Sequence, residues 1–179
     1  MKTKKELTNA LMLYAVNLLA RRRYSVHKMQ QKLFEKCKKI NRTENLTEEM
    51  TGDQQEASQE VISFLLSKKY LNDTEYAELY VISELRRKPS GKFVIKNKLK
   101  QRGISNNIIS AALSKYTEHG EYELAIEALK KKLVILRESD PRKKQEKLTR
   151  FLVSRGFPFT IIQSAIKEIL KEEITEQSD

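Results

Sequence analysis

Lys98-Leu99-Lys100-Gln101-Arg102-Gly103-Ile104 and Phe151-Leu152-Val153-Ser154-Arg155-Gly156-Phe157 carry one pattern twice. In both, Leu stands three residues before Arg-Gly, and an apolar residue follows the Gly. Five residues past each Gly comes an Ile pair, Ile108-Ile109 or Ile161-Ile162. Each pair opens an apolar helix face that Ala112 and Leu113, or Ala165 and Ile166, continue. A helix that ends at Arg, reverses through Gly in the left-handed region and restarts accounts for the pattern.

A worn third copy lies upstream. Lys32-Leu33-Phe34-Glu35-Lys36-Cys37 matches Lys98 to Gly103, with Cys37 in the place of Gly, and Val61 to Lys68 matches Ile108 to Lys115. Each copy opens with an amphipathic helix holding an aromatic or Leu before Ala: Tyr14-Ala15, Tyr76-Ala77 and Leu124-Ala125. The sequence therefore predicts an all-α protein of three tandem three-helix repeats, at 1–70, 71–118 and 119–174, followed by a frayed acidic tail at 175–179. One unit of this length buries little apolar surface, so stacked neighbours must supply a continuous core.

Turn chemistry agrees. Thr3 and Glu6 make a capping box, Ser25 caps the second helix of unit one, Asp73 the first helix of unit two, and Ser105 its third. Asp140-Pro141 starts the long helix that ends before Gly156. Residues 41–57 break the pattern: they are polar and acidic, with Leu46 and Met50 as the only large apolar residues, and read as a mobile insertion. The tail after Leu170 is expected to fray.

The composition supports helices: 5 Gly and 3 Pro are spread over 179 residues. Cys37 is the single cysteine, which excludes an internal disulfide and suits a reducing compartment. His27 and His119 lack ligand-type spacing, so no metal site is expected. Lys2, Lys4 and Lys5 before the apolar stretch Ala10 to Val16 mimic a signal peptide. Asn17 and the Arg21-Arg22-Arg23 run break that reading, and Leu7, Leu11, Ala15 and Leu18 fall on one helix face. No segment is long enough to span a bilayer, and a cytoplasmic location is expected.

The net charge of +11 favours a polyanionic partner. The excess is clustered. Arg86, Arg87, Lys88, Lys92, Lys96, Lys98, Lys100 and Arg102 have no acid among them, and Lys92, Lys96 and Lys100 repeat every four residues. Arg21, Arg22 and Arg23 with Lys28 form a second cluster. Lys130, Lys131 and Lys132 with Arg142, Lys143, Lys144 and Lys147 form a third. A solvated face is the plain alternative, but such faces mix signs. Like charges four apart repel by roughly 0.2–0.5 kcal/mol, so a one-sign block points to an anionic partner.

Catalytic patterns are missing. Gly91-Lys92 lacks the rest of a phosphate-cradling loop, and no Gly-x-Ser-x-Gly elbow occurs. Cys37 reads as a helix-end residue, and Asp73 beside Asn72 is explained by capping. No enzyme activity and no cofactor are expected.

Three stretches resemble the RecX family of bacterial recombination regulators. The first runs from Ala10-Leu11 through Leu19-Ala20-Arg21-Arg22-Arg23-Tyr24-Ser25 to Lys32-Leu33. The second is Tyr70-Leu71-Asn72-Asp73-Thr74-Glu75-Tyr76-Ala77 with Arg86-Arg87, Gly91, Leu99 and Arg102-Gly103-Ile104. The third is Arg150-Phe151-Leu152 with Arg155-Gly156-Phe157. Lys28, where the family often has an acid, and the long segment 41–57 depart from it.

The resemblance implies a curved, elongated module of stacked repeats. It also implies a monomeric regulator, without enzymatic activity, that binds RecA or RecA-coated single-stranded DNA. Such a regulator limits recombinase, ATPase and co-protease activities in DNA repair and the SOS response. Contacts to the filament or to DNA phosphates are expected from Arg21, Arg22, Arg23, Arg86, Arg87, Lys88, Lys92, Lys96, Lys98, Lys100, Arg102 and Arg155. The alternative is an independent, sequence-nonspecific DNA- or RNA-binding helical protein. Direct DNA contact is also compatible with the first reading as a secondary activity.

Overall fold

The computed structural model describes residues 3–43, 52–114 and 118–176. Among them run nine α-helices and no strand. They are α1 Lys4–Leu19, α2 Val26–Thr43, α3 Gly52–Ser67, α4 Asp73–Arg87, α5 Lys92–Lys100, α6 Asn106–Ser114, α7 Glu118–Leu133, α8 Pro141–Ser154 and α9 Phe159–Glu176. The all-α repeat reading is therefore correct.

The starts of the helices follow local chemistry. The Thr3 hydroxyl accepts the Glu6 amide while the Glu6 carboxylate accepts the Thr3 amide, the reciprocal box expected. Asp140 accepts the amides of Arg142 and Lys143 ahead of Pro141. Ser25 accepts from the Lys28 amide at 3.2 Å. One cap is reassigned: Asn72, not Asp73, accepts the amides of Thr74 and Glu75 at the start of α4. Asp73 is already the first helical residue, and its carboxylate is turned elsewhere.

The chain divides into two compact units, 1–76 with 102–105, and 77–101 with 106–179. In the first, α1, α2 and α3 enclose Leu7, Leu11, Ala15, Met29, Leu33, Val61 and Leu65. Leu11, Met29, Leu33 and Leu65 are fully buried, each worth about 1.5–3 kcal/mol of transfer free energy. In the second unit, α7, α8 and α9 close over Ala125, Leu129, Leu148, Leu152, Ile162 and Ala165. Ile95 and Leu99 of α5 and Ile109 of α6 are buried in the same unit.

Three expectations need correction. Residues 41–57 are not an insertion throughout: α2 runs to Thr43 and α3 begins at Gly52. Asn41, Gln54 and Ala57 are buried, and the two carboxamides of Asn41 and Gln54 hydrogen-bond reciprocally. A search for large apolar residues overlooks a packing contact made by paired amides. Residues 44–51 lie outside the described part. Cys37 does not end a helix; it lies mid-α2, fully buried, where a small apolar thiol fits the core. Finally, the helical pattern does not stop at Leu170: α9 continues to Glu176, and the Lys-Glu-Glu stretch suits helix. The last residues, 177–179, lie outside the described part.

The Arg-Gly turns are as expected: Gly103 and Gly156 both have φ of 77°. Each also makes a close approach. A Cβ on Gly103 would lie 2.3 Å from the His27 Cβ, and one on Gly156 would lie 2.6 Å from a methyl of Val94. So each Arg-Gly turn packs on the first turn of an earlier helix, α2 or α5. The Ser25 hydroxyl donates to the Arg102 carbonyl at 2.6 Å, and the Gly91 amide donates to the Arg155 carbonyl at 2.9 Å. An acid completes each junction. Asp73 accepts the amide of Val26 at 2.9 Å, and Glu121 accepts that of Lys92 at 2.8 Å. Asp73 and Glu121 each stand three residues before the Tyr-Ala or Leu-Ala pair that marks a repeat. The repeat thus extends to how one copy caps the helix of the copy before it. The first junction falls within the first unit and the second within the second unit.

Candidate functional site

The long basic run occupies the end of α4, the turn after it, α5 and the turn after that. The helix α5 is amphipathic: Ile95 and Leu99 are fully buried, so Phe93, Lys96 and Lys100 point outward and are exposed. Lys96 and Lys100 lie three and seven residues beyond Phe93, which places all three on one face.

The eight cations of the run are not equivalent. Lys98 and Arg87 both reach Glu84, at 2.5 and 3.1 Å. Glu84 sits at only 8% side-chain exposure. Burial would push its carboxyl up, but the hydrogen bonds from Lys98 and Arg87 outweigh that and hold it below the usual carboxylate range. Lys92 has its amide capped by Glu121, and its ammonium lies 3.8 Å from the same carboxylate. Arg102 is half-buried and takes part in the Ser25 junction through its carbonyl. Arg86, Lys88, Lys96 and Lys100 are exposed and make no ion pair among the described residues. They are the cations of this run best placed to meet an external anion.

Arg155 points inward by comparison. Its guanidinium donates to the Pro89 carbonyl at 3.1 Å and lies 4.7 Å from the Phe151 ring centroid. Burial lowers its pKa. Of the N-terminal arginines, all three are exposed. Arg22 donates to the Tyr24 hydroxyl at 2.8 Å and covers its ring, and Arg23 pairs with Glu75 at 2.7 Å. The third basic cluster is partly neutralised, by Lys131 with Glu127 and by Lys147 with Glu138.

The sequence reading finds no acid inside the basic block and so misses Glu84 and Glu121. A signal for both is present: Ala77, Val81 and Glu84 are spaced four and three apart, as are Glu121, Ala125 and Ala128. An acid on an apolar helix stripe needs a buried partner. Burial pushes the Cys37 thiol up, which opposes thiolate chemistry there.

Comparison with known proteins fits this arrangement. A family model described as RecX, second three-helix domain, matches residues 72–113, and one described as RecX, third three-helix domain, matches 120–166. Regulatory protein RecX of Pelodictyon phaeoclathratiforme is 32% identical over 156 residues, covering 87% of this chain and 86% of that protein. The chain belongs to the RecX family. Regulatory protein RecX of Leuconostoc mesenteroides subsp. mesenteroides is 30% identical over 158 residues, which span 88% of this chain but only 54% of that relative. Against RecX of Clostridium botulinum, strain Alaska E43, the share of the relative is 58%, so the chain matches little more than half of these two proteins. The crystal structure of RecX from Lactobacillus salivarius superposes with a TM-score of 0.71 at 26% identity, covering 92% of this chain and 97% of that one. Within this RecX framework the Arg-Gly turns and their acid caps lie inside or beside the matched domains, as do all eight cations of the long basic run. No helix among the described residues is long and apolar enough to cross a membrane.

Proposed function

We propose that the chain is a non-enzymatic regulator that binds RecA, or RecA-coated single-stranded DNA, and limits its recombinase, ATPase and co-protease activities. The observation that carries this reading is the match over most of both chains to a relative named regulatory protein RecX. The reading needs no cofactor, and it places the protein in the cytoplasm as a monomer acting in DNA repair and the SOS response. Arg86, Lys88, Lys96 and Lys100 are its principal filament contacts, with Arg21 to Arg23 as a second anchor. Arg87, Lys92 and Lys98, paired with Glu84 and Glu121, and Arg155, bonded to the Pro89 carbonyl, are secondary contacts in this reading.

The pairing decides the test. Lys92→Glu would set a second carboxylate against the buried Glu121 and threaten the fold, so Lys92 is left intact and only Lys96 and Lys100 are changed to Glu. The parent is expected to slow DNA-dependent ATP hydrolysis by its cognate RecA, at amounts well below one per subunit if it acts by capping the filament. The double variant should retain its far-UV spectrum and inhibit far less at low salt. At high salt the two should converge, because screening weakens both. Equal inhibition at low salt would remove this face from the reading.

Independent, sequence-nonspecific nucleic-acid binding is the second reading. The exposed Lys96 and Lys100 favour it, since lysines contact phosphates without reading bases. Equal affinity for bare and RecA-coated single strands, with no effect on RecA hydrolysis, would select it.

A further inference from the structure

Phe93 is an exposed aromatic at the N-terminal end of the basic face of α5. It is 65% exposed although it sits on a short helix whose opposite side is fully buried. Phe34 and Phe64, also exposed, differ: each carries a lysine ammonium over its ring, Lys38 at 4.9 Å and Lys68 at 5.9 Å. Among the described residues no cation covers Phe93. Its neighbours one and two turns along the same face are the exposed Lys96 and Lys100.

An open ring costs hydration free energy and does nothing for the core. The ring and the two ammonium groups together match one chemistry: an unstacked base beside its backbone phosphates. Duplex phosphates would satisfy the lysines but leave the ring idle, because paired bases present no free π-face. We propose that Phe93, with Lys96 and Lys100, forms a stacking platform that makes this chain prefer single-stranded nucleic acid to duplex. The proposal rests on the reading of the α5 face as a polyanion contact, and it adds the form of strand that the face selects.

The chain contains no Trp, so Phe93→Trp places a single indole on the platform. Its emission is expected to be quenched by oligothymidylate and by oligouridylate, in proportion to occupancy, and not by duplex DNA at equal phosphate concentration. Oligodeoxyuridylate, which differs from oligouridylate only in the 2′-hydroxyl, would identify the preferred sugar. Phe93→Leu keeps the apolar bulk but removes the π-face. It should weaken single-strand affinity by roughly five- to hundredfold, the range of one stacked base, and change duplex affinity by less than about twofold. An unquenched indole, or a Leu variant that binds oligothymidylate as tightly as the parent, overturns the platform. Such a result leaves the phosphate reading standing if Lys96→Glu with Lys100→Glu still loses binding. If that charge variant binds all polyanions as the parent does, the face itself is overturned and the platform with it.

Discussion

Gly103 and Gly156 show how one atom can specify a fold. At φ of 77° a side chain is strained, and the position of the missing Cβ is already taken by His27 or Val94. Replacing either glycine with Ala is expected to cost at least about 1–3 kcal/mol from backbone strain, with the steric clash adding to it. Gly52 provides the control, because nothing lies within 4 Å of its absent Cβ. Gly52→Ala at the start of α3 should be neutral or stabilising by up to about 1 kcal/mol. Urea denaturation of the three variants checks the ranking; equal stabilities for all three would refute the close approach. Residue identity also sorts the cations, since Lys98 and Lys100 are two positions apart yet meet different surroundings. Lys98 meets a buried carboxylate, and Lys100 meets solvent.

At the scale of elements, a later repeat supplies the cap of a helix in the repeat before it. Asp73 begins α4 but caps α2, and Glu121 in α7 caps α5. Asp73→Ala is expected to destabilise the protein by about 0.5–2 kcal/mol, the usual cost of removing a cap. The location of the effect is the sharper test. Hydrogen exchange should accelerate in the first turn of α2 for Asp73→Ala, and in the first turn of α4 for Asn72→Ala. If Asp73→Ala loosens α4 instead, Asp73 serves its own helix and the junction is misassigned. Cys37 belongs to the same scale. It occupies the place of Gly103 and Gly156 in the repeat, yet α2 continues through it to Thr43. No Arg-Gly turn is needed there, so the conformational freedom of glycine is not needed either.

For the whole molecule, net charge overstates the available charge. The chain carries +11, but three of the eight cations in the long run are matched by Glu84 and Glu121. The exposed remainder should govern association. Affinity for oligothymidylate is expected to fall with rising salt. Lys96→Ala with Lys100→Ala should flatten that dependence by about 0.7 in log–log slope for each phosphate no longer neutralised. Lys98→Ala should leave the slope unchanged while lowering stability, because it leaves the buried Glu84 with Arg87 as its remaining cation. A slope change from Lys98 equal to that from Lys96 would show that the pairing with Glu84 opens on binding.

Local sequence was sufficient for the body of the helices, the repeat and the two reversing turns, but not for where α2 ends and α3 begins. Those features depend on neighbours within one or two helical turns: the Thr3 and Glu6 box, Asp140 before Pro141, and Arg before Gly. Apolar spacing likewise placed Leu11, Leu99 and Ile162 in the interior. The sequence also held the family resemblance, because the motifs that carry it are the turns and caps themselves. Which cations are neutralised is settled by the tertiary fold. Glu84 and Lys98 are 14 residues apart and Lys92 and Glu121 are 29 apart, beyond the reach of any local pattern. The fold likewise makes Asn41 and Gln54 close the end of α2 on the start of α3. Paired amides leave no hydrophobic signature along the chain. Charge and polarity acquire their meaning from the group across the gap, and the fold chooses that group.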